Sequence, residues 1–263
     1  MHFRPSFPSA FRVLLLCLLV LFFGPALWRS ALFWRAPAFD WGGADRSSAG
    51  LLAAPTLQRA AAVRVFAAPT VSWRGIFAVH SWIVLKDENA VAYDRYDLTA
   101  WGDPIRVNGF EADGRWFGQV PELLFAADGP AATALIAPMR AAIRDYRYAH
   151  RGDYRAWPGP NSNTFVATIL AAVPDAKATL PPNAVGKDFP VDGRVVAWTP
   201  SRTGIRISFG GYLGLTLAWV EGLELNLLGG VIGLDIRRPA IKLPAIGRLG
   251  VPLFPATPLP PQT

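Results

Sequence analysis

An unbroken apolar run near the start of the chain, Val13–Phe23 (VLLLCLLVLFF), limits the possible folds most, because water does not tolerate such a segment in isolation. Arg4 and Arg12 precede it, and Gly24, Pro25, Ala26, Leu27 and Trp28 prolong it. Val13 to Trp28 falls short of the about twenty residues that span a bilayer squarely. It is long for a signal-peptide core of about 7–15 residues. No A-x-A cleavage site follows, Arg29 interrupts the run, and Trp28 and Trp34 sit where interfacial aromatics sit. The pattern favours an uncleaved signal anchor over residues 1–36, with the membrane as its partner, rather than a cleaved peptide. Arg29, Arg35 and Arg46 on the far side oppose the positive N-terminus. The short basic N-terminus still reads as the cytoplasmic end, which puts the main domain outside the cytoplasmic membrane. Cys17, inside the run, reads as a buried apolar thiol.

Composition removes several function classes. Charged residues are 17% and apolar residues 52% of the chain, the opposite of a disordered segment. One cysteine closes no disulfide. The histidines are only His2, His80 and His150, too few for a classical zinc cluster. The net charge of +7 is spread along the chain without a basic run, so no nucleic acid is expected. No cofactor is expected either: Gly186-Lys187-Asp188 lacks the preceding glycine of a phosphate loop and reads as a turn. Protein partners are not legible.

The remainder reads as an α+β domain with an antiparallel sheet and packed helices. Residues 37–70, rich in Ala, Gly and Pro, read as a linker with one short helix, Pro55–Ala62. A single domain is expected over residues 71–251, followed by a Pro-rich tail, 252–263. Ile76–Leu85 is apolar almost throughout, as a strand buried on both faces would be. After the polar break Lys86–Ala90, Val91–Trp101 resumes as its hairpin partner, and Arg115–Val120 is a third candidate strand. Ala131–Tyr148 carries Leu135, Ile136, Met139, Ile143 and Tyr146 at helical spacing, with Pro138 predicting a kink or break. A second apolar helix follows Asn161 and runs to about Val173. Ile207–Val220 and Leu225–Leu234 are too short and too glycine-rich for spanning helices and read as buried strands with glycine turns. A hairpin of membrane helices is the rival reading there.

Two places can carry chemistry. Asn161-Ser162-Asn163-Thr164-Phe165 follows a Pro-Gly-Pro turn and opens a helix, where free backbone N–H groups and the helix dipole favour an activated nucleophile or an oxyanion. The plain structural role is an N-cap by Asn161 or Ser162, which contributes about 1 kcal/mol. His80 lies in the strongest strand, where a hydrogen-bonded core histidine is the plain reading. If the hairpin is symmetric about Glu88-Asn89, Lys86 faces Val91 and His80 faces Asp97, so Asp97 can orient the imidazole. A one-residue slip would move Asp97 to the other face; Asp94 and Tyr96 are then the substitutes. His150 reads as a solvated loop residue. Glu221 and Glu224, three apart on a strand, point to opposite faces.

The segments Gly75–Trp82, Trp157–Phe165, Gly186–Asp188 and Glu221–Asn226 resemble, over roughly Val71–Val251, a bacterial membrane-associated family known only as a domain of unknown function. The order of a strand histidine and then an Asn- or Thr-Cys-x-x-aromatic helix start, here Asn161-Ser162-Asn163-Thr164-Phe165, is also similar to circularly permuted papain-like domains of the NlpC/P60 and LRAT-like kind. That resemblance implies a helix-on-sheet arrangement with His80 as base and Ser162 at the position of the nucleophilic cysteine. A serine there departs from the pattern, since a hydroxyl is far less ionised than a thiol and needs a well-placed base. The expectation is a membrane-anchored hydrolase or acyl transferase acting on an envelope amide or ester. In it Ser162 is the nucleophile, His80 the base, Asp97 the orienting residue, and Asn161 or Asn163 the oxyanion donor. The rival is a non-catalytic envelope binding or scaffold protein in which Ser162 caps the helix and His80 fills the core. A multi-span membrane protein built on Ile207–Leu234 is the third reading.

Overall fold

The computed structural model describes residues 9–35, 40 and 42–252. The Pro-rich tail expected at 252–263 therefore lies, but for its first residue, outside the described residues. The apolar run forms helix α1, Ser9–Phe33. Its stretch Ala10–Phe33, with mean hydropathy 2.4 over its most apolar 18 residues, is long and apolar enough to cross a membrane, a property that a signal sequence shares.

An antiparallel sheet in the order β4-β3-β2-β1-β5 follows, built from β1 (Ala62–Pro69), β2 (Val79–Lys86), β3 (Asp94–Leu98), β4 (Ile105–Val107) and β5 (Glu122–Asp128). β1 is a finding against the expected linker and its Pro55–Ala62 helix. Ala62–Pro69 is an interior strand between β2 and β5, with Val63, Val65 and Phe66 fully buried. Its alanines and Arg64 dilute the β-branched signal, and its neighbours rather than its own pattern hold it in place. The candidate strand Arg115–Val120 is only a bridge between Trp116 and Gln119.

Both faces of this sheet are covered. On one, Val63, Val65, Ile83 and Leu85 pack with helices α2 (Gly129–Arg144) and α3 (Ser162–Ala171). α2 continues through Pro138 as a single helix, where a kink or a break was expected. Its buried stripe Ala132, Ile136, Met139 and Ile143 holds it against the sheet on both sides of the proline. On the other face, Phe66, Trp82, Val84, Trp116 and Phe117 form a second core beneath loops.

The C-terminal part is a seven-stranded antiparallel meander: β6 (Val196–Trp198), β7 (Gly204–Phe209), β8 (Leu213–Ala218), β9 (Gly222–Leu227), β10 (Gly230–Asp235), β11 (Ala240–Leu243) and β12 (Gly247–Gly250). The strand reading of Ile207–Leu234 holds, and the rival membrane hairpin does not. The burial is reversed from expectation, however. The covered face carries Ser208, Thr216, Glu224, Asn226, Asp235 and Lys242, whereas leucines and isoleucines face outward. Strict alternation in Leu213–Ala218 places Gly214 and Thr216 inside and Leu213, Leu215 and Leu217 outside. The inner layer is held by Glu224, which accepts hydrogen bonds from Lys187 and Lys242. Lys187 belongs to the Gly186-Lys187-Asp188 turn.

Candidate functional site

The β2–β3 hairpin sets the geometry of His80. Its register pairs Ile83 with Tyr96 and Leu85 with Asp94, two residues away from the symmetric pairing that sequence suggests. Because side chains alternate with period two, a shift of two keeps Asp97 on the face of His80. His80 Nε2 lies 2.8 Å from Asp97 Oδ1. Arg95 closes on the same carboxylate from behind: its Nε donates to Asp97 Oδ2 at 2.7 Å and its Nη2 to Oδ1 at 2.9 Å. The guanidinium also donates to Glu111 O and lies 3.9 Å over the Trp82 ring. Asp97 and Arg95 are essentially inaccessible, and His80 is 4% exposed.

An ionised carboxylate only accepts, so the Asp97 contact assigns the imidazole proton to Nε2. Nδ1 is left as the basic nitrogen, and no described residue hydrogen bonds to it. Burial pushes the His80 pKa below its ordinary value, outweighing the Asp97 contact that raises it. Burial works to raise Asp97, but the His80 bond and the Arg95 charge together hold it below the usual carboxylate range. The imidazole ring is stacked on Trp116, with centroids 3.8 Å apart and planes 10° from parallel.

The other motif is built as a helix start. Asn161 is the N-cap of α3: its Oδ1 accepts from the backbone N–H of Asn163 and Thr164, and Thr164 Oγ1 accepts from the Asn161 N–H, a full capping box. Asn161 Nδ2 donates to Ala156 O and Val185 O. Asn163 Nδ2 donates to Val79 O and Val185 O, while its Oδ1 accepts from Ser81 Oγ. Both amide groups, expected as oxyanion donors, have their hydrogens taken by main-chain carbonyls. The Gly186 turn serves this arrangement: its φ is +94°, and a Cβ there would lie 2.3 Å from Asn161 Nδ2. A side chain at 186 would push the cap out.

Asn163 thus docks α3 on Ser81, which lies on the opposite face of β2 from His80. No hydrogen bond joins Ser162 to His80. Both instead line one cavity of about 860 Å³ at the end of the sheet where β2 begins and β3 ends. Phe22, Phe23 and Ala26 of α1 close one side, and Trp73, Phe77, Trp101 and Trp157 contribute aromatic wall. Among the described residues, no Asp or Glu lines it. Tyr154, which the sequence did not single out, also lines it beside Ser162. Burial raises the Tyr154 pKa, and hydrogen bonding from the Ser162 hydroxyl and amide only partly offsets this, so the phenol stays protonated. Nothing in the spacing links Tyr154 to Ser162; the turn through Pro160 brings them together, with Arg155 N donating to Pro160 O. His150 is exposed as expected, beside Asp153.

One family model matches part of the chain. Residues 60–189 match the family described as Protein of unknown function (DUF3750). The matched stretch runs from the beginning of β1 to Phe189, so it contains His80, Asp97 and the α3 start, and ends before the seven-stranded meander. No curated protein matches the chain, and no solved structure does. The likeness to papain-like domains therefore rests on the two motifs alone.

Proposed function

We propose that this chain is a membrane-anchored envelope hydrolase or acyl transferase acting on an amide or ester, with the main domain on the periplasmic side. One observation carries the reading. A buried histidine, fixed through Nε2 on an arginine-braced carboxylate, lines the same apolar cavity as a serine at a helix N-terminus. A histidine with a purely structural role has no need to line a cavity of about 860 Å³.

In this reading His80 Nδ1 takes the Ser162 Oγ proton as Oγ attacks the carbonyl carbon. Asp97 keeps the ring in the Nε2–H tautomer and stabilises the imidazolium that forms. Tyr154, protonated at neutral pH, donates to the developing oxyanion, a role that the occupied amides of Asn161 and Asn163 leave open. The imidazolium then returns the proton to the leaving alcohol or amine. Water or an acceptor hydroxyl, deprotonated by the same nitrogen, releases the acyl group from Ser162. The apolar lining and the neighbouring α1 favour an acyl substituent delivered from the membrane.

The test is hydrolysis of p-nitrophenyl esters of increasing chain length by the detergent-solubilised full chain. Ser162→Ala and His80→Gln should each lose turnover by at least about a hundredfold, the scale on which a nucleophile or base acts. Unchanged turnover in both variants contradicts the reading. A non-catalytic binding role is favoured by the absence of a direct Ser162–His80 hydrogen bond and by the capping box. It predicts no turnover in the wild-type chain.

A further inference from the structure

The seven-stranded meander is built with its apolar side outward. Its register aligns Trp198, Ile205, Leu217, Leu223, Leu234, Ile241 and Leu249 in one row across all seven strands. Val196, Ile207, Leu215, Leu225 and Ile232 form the next row. No charged residue stands in either row. Trp198 is 67% exposed, Trp219 57% and Leu217 52%. Seven strands about 4.8 Å apart and about 10–20 Å long give a face of several hundred Å². That is as large as or larger than the biggest apolar patch on a typical soluble monomer.

Three observations indicate what covers it. First, the meander is in contact with α1 at one end: α1 touches β10 and β11, and Phe22 lies beside Gly230. Secondly, α1 lies along the domain from Phe22 to Phe33, with Phe22, Phe23, Ala26, Arg29, Leu32 and Phe33 lining cavities against it. Only Ala10–Leu21 projects beyond, about 18 Å at about 1.5 Å per residue, against a hydrocarbon core of about 30 Å. If α1 enters the bilayer, the part of the domain beside Phe22 is held against the membrane surface. Thirdly, the turns at one end of the meander carry Arg202 and Arg237 next to Trp198, Trp219 and Ile236, the mixture of cations and aromatics suited to anionic headgroups. The strands, of 3–6 residues, are too short to span, and an open sheet edge cannot lie within hydrocarbon.

We infer that the outward face of the meander lies flat on the surface of the same membrane that α1 enters, seated by Trp198, Leu215, Leu217, Leu223 and their row neighbours. This goes beyond the proposed chemistry and does not depend on it, because binding is read without turnover. It gives the polar inner layer a reason: in a sheet whose apolar side faces lipid, the charged side chains turn toward the protein and pair there.

The test places a nitroxide at Leu215→Cys in a Cys17→Ser background of the full chain. The protein is reconstituted into vesicles of phosphatidylethanolamine and phosphatidylglycerol, with Val107→Cys on the far edge of the other sheet as reference. Collisions with oxygen should exceed those with a water-soluble nickel chelate several-fold at Leu215, with the reverse at Val107. Chelate accessibility at Leu215 equal to that at Val107 overturns the inference. So does low accessibility to both reagents with dipolar broadening between labels, since a second copy of the chain would then cover the face. If Leu215→Cys does not fold, the same reading at Leu223→Cys decides, because that residue stands in the adjoining row.

Discussion

At the scale of single residues, the His80–Asp97–Arg95 chain is the most demanding feature of the molecule. Three titratable groups are buried together, and each is tolerable only because of the next. Asp97→Ala would leave Arg95 buried without its partner carboxylate, a loss of about 3–5 kcal/mol on chemical denaturation. Asp97→Asn preserves the shape but can present an amide N–H to Nε2, which would move the imidazole proton to Nδ1. Turnover should then fall more than the melting temperature does. The pH dependence follows from the directions of the shifts. With His80 held below its ordinary value of about 6.5, the unfolded chain takes up its proton first, so stability declines as pH falls below about 6.5. Asp97, also held low, contributes stability that is present above about 3.8 and is lost below it. As a base, His80 remains neutral into mild acid, so the acid limb of kcat/KM should lie below pH 6.5.

At the scale of elements, the start of α3 and the β2–β3 hairpin divide the task. Asn161→Ala removes a cap of about 1 kcal/mol and takes one donor each from Ala156 O and Val185 O, the latter still served by Asn163 Nδ2, so a loss of about 1–2 kcal/mol is expected in a urea melt. Ser162→Ala removes a hydroxyl that caps nothing, and should shift the melting temperature by no more than a few degrees. How far the sequence foretold these elements follows from their local signals. The α1 run, the two helical stripes and β2 were legible because each carries an apolar pattern that is strong on its own. β1 was not, because Ala67, Ala68 and Pro69 look like linker until two neighbours pair with them. The His80–Asp97 contact was anticipated on the wrong register and survived because the true one differs by two. Tyr154 was invisible: only the fold of the turn carries it to Ser162.

At the scale of the whole molecule, the region matched by the family model and the meander are joined by buried charge. Lys187 sits in the turn that admits Asn161, and it reaches Glu224 on β9. Burial pulls the Lys187 pKa down, but Asp188 and Glu224 outweigh it and hold the amine above its ordinary range. Glu224→Leu would leave Lys187 with Asp188 alone and Lys242 with a main-chain carbonyl, at a cost of about 3–5 kcal/mol measured by denaturation. The same variant should leave labelling at Ser162 intact at temperatures where the fold persists. The arrangement of the parts was harder to read than the parts. Leu213, Leu215 and Leu217 announce a strand equally well whether they face a core or a bilayer, and alternation alone does not say which side is inside.

The central claim is that Ser162 is activated by His80 across the shared cavity. The most direct measurement is covalent labelling of the full chain by a fluorophosphonate, with the modified residue located by peptide mass spectrometry across pH 5 to 8. The account predicts phosphonylation at Ser162, increasing as His80 becomes neutral and abolished by His80→Gln in a protein that still melts cooperatively. Labelling that is absent at every pH, or that persists unchanged in His80→Gln, would contradict it.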